Sequence, residues 1–273
     1  MRLTLLAAIF VAFLCAPLRA ETESDIVILT GSTGGVYYPL GLAPAKIYER
    51  AIPGVRVIVQ ATQASVENFN LLQQRRGTLA FGQGDVMSHA VKGNVEAGFP
   101  SSRDRLRMVA ALYPNYLHVV ATKSANVKSL QDLRGKRVSV GASRSGNELN
   151  ARDLLGAVGM SYADLRRVDY LAYNESVVLS RGAFTPITIP ANTYVGQPES
   201  VPTAALNNFL VTQRDVPEAL VYAMTKALYS NLPDLQASHV AAKDIATRNA
   251  LADRPIALHP GAARYFREVG LLH

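Results

Sequence analysis

Strand and helix patterns alternate three times within some sixty residues near the start of this chain, and each hand-over is marked by a glycine or a helix-start residue. Residues 25–29 alternate imperfectly into a short strand, and a glycine turn follows at residues 31–35. Leu40, Ala43, Ile47 and Ala51 then fall at helical spacing, and Pro53-Gly54 stops the helix. Residues 55–59 read as a second strand. Ser65-Val66-Glu67-Asn68 opens a helix that Gly77 closes. Residues 78–81 form a third strand, with Gln83-Gly84-Asp85 leading into the next helix. This alternation is the pattern of a parallel sheet with covering helices, and ligands at such sheets gather where strands hand over to helices at their carboxyl ends.

The first hand-over carries the most chemistry. Thr30-Gly31-Ser32-Thr33-Gly34-Gly35-Val36-Tyr37-Tyr38 is a strand running into a glycine turn and a helix, which aims free backbone N–H groups and a positive helix end at a small anion. Tyr37 and Tyr38 add flat, half-polar walls that suit a small organic acid.

Residues 1–20 carry Arg2, an apolar run and Ala20 ahead of an acidic stretch, the pattern of a cleaved secretory signal peptide. The apolar run is short for a bilayer span of about 20 residues. Cys15 is the one cysteine and lies inside that leader, with flanks that do not suit a lipoprotein, so the exported chain must be stabilised without disulfides. Without Arg2 and Arg19, 26 basic residues stand against 21 acidic ones. They are dispersed and sparsely interleaved with aromatics, which argues against nucleic acid and leaves at most weak steering of anionic solutes.

Farther on, residues 106–112 and 117–121 read as two strands separated by Pro114, a candidate crossing between two domains. A second α/β set begins with a short helix at 129–133 and a strand at 137–141. The polar loop Ala142-Ser143-Arg144-Ser145-Gly146-Asn147 opens a helix in which Ser145 and Glu148 have capping-box spacing. A strand follows around 168–171, with a helix start near Asn174-Glu175-Ser176. Helical periodicity then stops until residues 206–211, a strand returning to the first domain, and a helix at 217–228. A short helix at 263–269 ends the chain, and His259 before Pro260 reads as structural.

Several of these pieces resemble one family: Thr30 to Pro39, Ser65-Val66-Glu67-Asn68, Gln83-Gly84-Asp85, Leu133-Arg134-Gly135-Lys136-Arg137-Val138, Ser145-Gly146-Asn147-Glu148, Ile189-Pro190-Ala191-Asn192-Thr193-Tyr194 and Leu258-His259-Pro260-Gly261-Ala262, in that order. The chain resembles the TAXI-type solute receptors of tripartite ATP-independent periplasmic (TRAP) transporters. The resemblance implies a type II periplasmic binding-protein fold, an α/β architecture of two lobes joined by crossing hinge strands. Residues 21–114 and 205–273 then form lobe 1, and residues 115–204 form lobe 2. It also implies a ligand such as glutamate, glutamine or 2-oxoglutarate, no cofactor, and a membrane permease as partner of a monomeric periplasmic receptor. Two departures stand out. Arg144 replaces a glycine of the family loop, so that it either pairs with a carboxylate or distorts the turn. The chain also bridges Val178 to Thr188 in about ten residues where the family carries further elements of lobe 2.

Ser32, Thr33, Gly34 and Gly35 are candidate donors to a carboxylate, with Tyr37 and Tyr38 beside them. Ser65 and Asn68 either meet the ligand or cap a helix. Gln83 is a candidate contact, and Asp85 either caps a helix or meets an ammonium group. Tyr113 lines or packs the cleft. Ser145, Gly146 and Asn147 are the contacts expected from lobe 2, together with Arg144. The turn at 31–35 lacks the lysine ending of a P-loop, residues 141–145 lack the last glycine of a nucleophile elbow, and the five histidines have no metal-ligand spacing. Binding without chemistry is therefore expected, with a transport receptor as the first reading. A sensor for a membrane partner and a receptor that has lost binding are the alternatives.

Overall fold

The computed structural model describes residues 24–171, 185–193 and 197–273, so the leader, the helix start near residue 175 and most of the shortened stretch lie outside the described residues. The first half of the chain forms β1 (Ser24–Leu29), α1 (Tyr37–Ala51), β2 (Val55–Gln60), α2 (Ser65–Gln73), β3 (Leu79–Gln83), α3 (Gly84–Lys92) and β4 (Leu106–Tyr116). There follow β5 (Arg137–Ser139), α4 (Gly146–Ala157), β6 (Arg167–Asp169), β7 (Thr185–Ile189), β8 (Val201–Gln213), α5 (Glu218–Ser230), α6 (Leu232–Ala237) and α7 (Pro260–Glu268). No helix among the described residues is long and apolar enough to cross a membrane.

The large sheet runs β2-β1-β3-β8-β4, with β7 on the first part of β8. β1 is parallel to β2 and β3, as the strand and helix alternation requires, whereas β8 is antiparallel to both β3 and β4. Side chains alternate across this sheet, and both faces are buried. Ile26, Ile28, Phe81 and Leu210 pack against α1, α5 and α7 through Tyr48, Met224 and Phe266. Leu29, Ala80, Phe209 and Val211 pack against α2 and α3 through Phe69, Leu72 and Met87. The second sheet is the parallel pair β5–β6, covered by α4 over a small core of Leu133, Leu155, Met160 and Leu165. The result is the α/β architecture with crossing strands that the resemblance implies, a type II periplasmic binding-protein fold.

The crossing differs from the sequence expectation. Residues 106–116 form one strand that passes through Pro114, and residues 117–121 have no regular structure. Proline is tolerated because β4 is the edge strand, where a missing N–H leaves no ladder bond unmade, and because the register slips between Ala111 and Pro114. The second crossing strand is β8, which starts at Val201, well ahead of the expected residue 206. Residues 201–205 pair with β7 and residues 205–213 with β4, so one strand ties three segments together. The expected capping box of α4 is half formed. Ser145 Oγ accepts from Glu148 N at 3.1 Å, but the Glu148 carboxylate turns away to accept from Arg152 and from the Tyr162 hydroxyl.

Candidate functional site

Four helices begin at one place. The starts of α1 (Val36, Tyr37), α2 (Ala64, Ser65), α3 (Gln83) and α4 (Ser145, Gly146, Asn147) all line a cavity of about 880 Å³, near the upper end of the roughly 300–1,000 Å³ typical of small-molecule sites. Residues 113–121 of the crossing segment and Ile189, Val201, Thr203 and Asn208 of β7 and β8 complete much of the wall. The first three helices have no side-chain cap, so their leading N–H groups are not satisfied by a capping side chain.

The local chain explains this placement. β1 and β3 are central, parallel strands whose carboxyl ends point the same way; β1 feeds α1 through the turn at residues 30–36, and β3 runs directly into α3. In the first turn Gly35 N donates to Ser32 O at 2.9 Å, which folds Ser32 and Gly35 into the wall. Before α2, Ala64 takes φ 72 and ψ −145, a region almost confined to glycine, so this wall is held under local strain. Ser65 Oγ accepts from Gln83 N at 3.2 Å and joins the second helix start to the third.

A chain of hydrogen bonds spans the floor. The Tyr37 hydroxyl donates to Asn208 Oδ1, and Asn208 Nδ2 donates to Tyr113 O at 3.3 Å. Tyr37 also stacks on Phe81 with ring centres 5.3 Å apart. Burial pushes the Tyr37 and Tyr113 phenols well above the usual range, so both stay neutral. Gln83 Nε2 reaches Asn147 Oδ1 at 3.3 Å, a direct contact from α3 to the start of α4.

Of the residues singled out in sequence, Ser32, Gly35, Tyr37, Ser65, Gln83, Tyr113, Ser145, Gly146 and Asn147 meet at this cavity. The structure does not bring the others to its wall. Thr33 and Gly34 are exposed, and Tyr38 is half-buried outside it. Asn68 is fully buried and binds the sheet together, with Nδ2 donating to Thr30 O at 2.7 Å and to Phe81 O at 2.8 Å. Arg144 is exposed with φ 64, so its turn takes the left-handed backbone that glycine favours and its side chain forms no part of the cleft.

Asp85 lies behind the wall. It is 5% exposed and its Oδ2 accepts from Asn150 Nδ2 of α4, while Asp85 Oδ1 and Asn150 Oδ1 are buried without partners among the described residues. Burial raises the Asp85 carboxyl to about 6, with the Asp153 carboxylate adding to the rise and the Val86 N–H, His89 and Asn150 opposing it. One turn along, His89 Nε2 lies 3.9 Å from Asp153 Oδ2. A polar seam thus joins α3 to α4 beside the cavity.

Asn208, Thr203, His118 and His239 also line the cavity and escaped the sequence reading. The one signal was Asn207-Asn208 inside an otherwise apolar strand run, since a polar pair in a central strand needs a partner. Among the described residues no group of three or more His, Cys, Asp or Glu side chains is placed to hold a metal ion.

The model of the NMT1-like family matches residues 28–182 and 178–270 of this chain. The two matched stretches meet at 178–182, within the segment where the sequence is shortened relative to its resemblance. The alkanesulfonate-binding protein of Xanthomonas axonopodis pv. citri, solved with MOPS, is 15% identical, with 91% of this chain and 94% of that one covered at a TM-score of 0.46. A nutrient-binding protein of Burkholderia cenocepacia, solved with methionine, is 16% identical, with 83% of this chain and 99% of that one covered at a TM-score of 0.47.

Proposed function

This chain belongs to the NMT1-like family, and from that premise and the fold described above we propose that it is the extracytoplasmic solute-binding subunit of a TAXI-type TRAP transporter. It captures an amino acid or a small carboxylate and delivers it to an ion-gradient-driven permease without turnover. Residues 21–114 with 205–273 act as one lobe, and residues 115–204 act as the other. The leader is removed after Ala20, which places the receptor in the periplasm.

The observation that carries this reading is the convergence of four helix starts on one cavity shared by the large sheet and α4. Such a site presents backbone N–H groups and positive helix ends to an anion without calling on a lysine or arginine. Its position between elements of the two sheets also lets ligand occupancy bias how they close, which is the signal a permease needs.

Differential scanning fluorimetry of the exported protein with glutamate, glutamine, 2-oxoglutarate and C4 dicarboxylates tests the ligand class. Binding to the native state must raise stability by RT ln(1 + [L]/Kd), about 2.7 kcal/mol at a hundredfold excess over Kd. A folded protein that none of them stabilises refutes the carboxylate reading. The intact mass of the periplasmic form tests the leader, with a first residue of Glu21 expected.

A further inference from the structure

Among the described residues, the lining of the cavity mixes apolar and polar groups and carries no formal charge from Asp, Glu, Lys or Arg. Its hydrogen-bonding groups are hydroxyls, amides, backbone and the rings of His118 and His239, and the rest of the wall is aliphatic, including Leu117, Val119 and Val240. His239 Nδ1 is itself occupied, accepting from Ala241 N at 3.1 Å. Asp85 stands behind the wall, buried against Asn150.

From this we infer that the cleft selects a ligand with a single anionic group, seated among the helix starts, whose second polar end is a neutral hydrogen-bond donor that Gln83 accepts. The inference rests on the carboxylate reading above and narrows it from acids in general to monoacids.

Three observations support it independently. The uncapped starts of α1, α2 and α3 offer N–H groups enough for one carboxylate. A second carboxylate moved out of water to this uncharged lining keeps its desolvation cost, since no described lysine or arginine there offsets it. Gln83 supplies the third. It lines the cavity at 4% exposure, and its Oε1 is buried with no hydrogen-bond partner among the described residues, while Nε2 is held by Asn147. A buried acceptor left unmatched is costly, and Gln83, turning Oε1 off Gly146 into the cavity it lines, meets an amide or hydroxyl donor on the ligand where a carboxylate repels it.

Matched pairs isolate the second end of the ligand. Glutamine against glutamate, and 2-oxoglutaramate against 2-oxoglutarate, differ only by an amide in place of a carboxylate. Titration calorimetry of the exported protein at pH 8 is expected to give at least tenfold tighter binding of the amide in each pair. Equal or tighter binding of either dicarboxylate overturns the inference while leaving the carboxylate reading intact. Failure of all four to bind the folded protein overturns both. The Gln83→Leu variant, checked for folding by circular dichroism, is expected to lose the preference within each pair, and a preference kept in full removes Gln83 from the account.

Discussion

The substitution Asp85→Asn tests the polar seam between α3 and α4 through its dependence on pH. In the native state Asp85 is buried and its carboxyl is raised from 3.8 to about 6. A rise of about two pKa units corresponds to roughly 3 kcal/mol at 1.36 kcal/mol per unit. The direction follows from linkage: the folded state binds the proton more tightly than the unfolded state, so the protonated carboxyl stabilises the fold fully below about pH 4, and this contribution is lost as pH rises through 6. Geometry explains why. Asp85 Oδ2 accepts from Asn150, but Asp85 Oδ1 and Asn150 Oδ1 are both buried acceptors without a donor among the described residues. A proton on the carboxyl, or the side-chain amide that the substitution introduces, supplies the missing donor. Urea unfolding of both proteins between pH 4 and 8 is therefore expected to show near-equal stability at pH 4 and an advantage of about 3 kcal/mol for Asp85→Asn at pH 8. His89 adds a second slope in both proteins. Its pKa is raised chiefly by the neighbouring Asp153 carboxylate, so that pair stabilises below the unfolded histidine value and is lost as pH climbs through the raised one. The difference between the two proteins removes most of this shared slope. A variant advantage that does not change with pH, or a wild type that is the more stable at pH 8, would refute the assignment.

Other perturbations read other parts of the site. A Cβ at Gly146 lies 1.8 Å from Gln83 Oε1, so Gly146→Ala forces Gln83 or the start of α4 to move, and calorimetry is expected to record at least about tenfold weaker ligand binding. Arg144→Gly relieves a left-handed residue that costs roughly 1–2 kcal/mol, partly offset by unfolded-state entropy. Thermal unfolding is expected to rise by a few degrees with affinity unchanged, because Arg144 is not in the wall. Tyr37→Phe leaves Asn208 Oδ1 buried without its donor and is expected to cost about 1–3 kcal/mol in urea unfolding.

The first half of the fold was legible because local signals and tertiary structure agree there. β1, β2 and β3 alternate with helices, α1 stopping just before Pro53-Gly54 and α3 at Gly93, close to the boundaries that the sequence marks. Pro114 misled because a proline inside an apolar run argues for a break, and only the edge position of β4 makes it compatible with a continuous strand. Site residues at helix starts were legible for the same local reason. Asn208 was not, because it reaches Tyr37 across 171 residues through antiparallel pairing of β8 with β3. Asp85 was noticed as a helix-start residue, but its partner Asn150 is 65 positions away, so its place in a seam behind the wall had no local signature.

That seam also answers how so small a second unit holds its place. Its own core, among the described residues, is four buried side chains with six half-buried apolar ones packed against them. Docking against the large sheet adds to it. α4 turns Leu155 into the small core and Leu149 into the core of the large sheet, while Arg152 donates to Glu96 O at 2.8 Å and Asn150 to Asp85. The surface that steadies the second unit is therefore the one that adjoins the ligand cavity. Its polar content matters here. An apolar seam of the same extent favours permanent contact, whereas one built on Asp85, Asn150, Gln83 and Asn147 can exchange its hydrogen bonds for water when it opens. On the proposed reading, a ligand that supplies a donor to Gln83 would add to the closed side of that balance alone and couple occupancy to closure through the same few side chains.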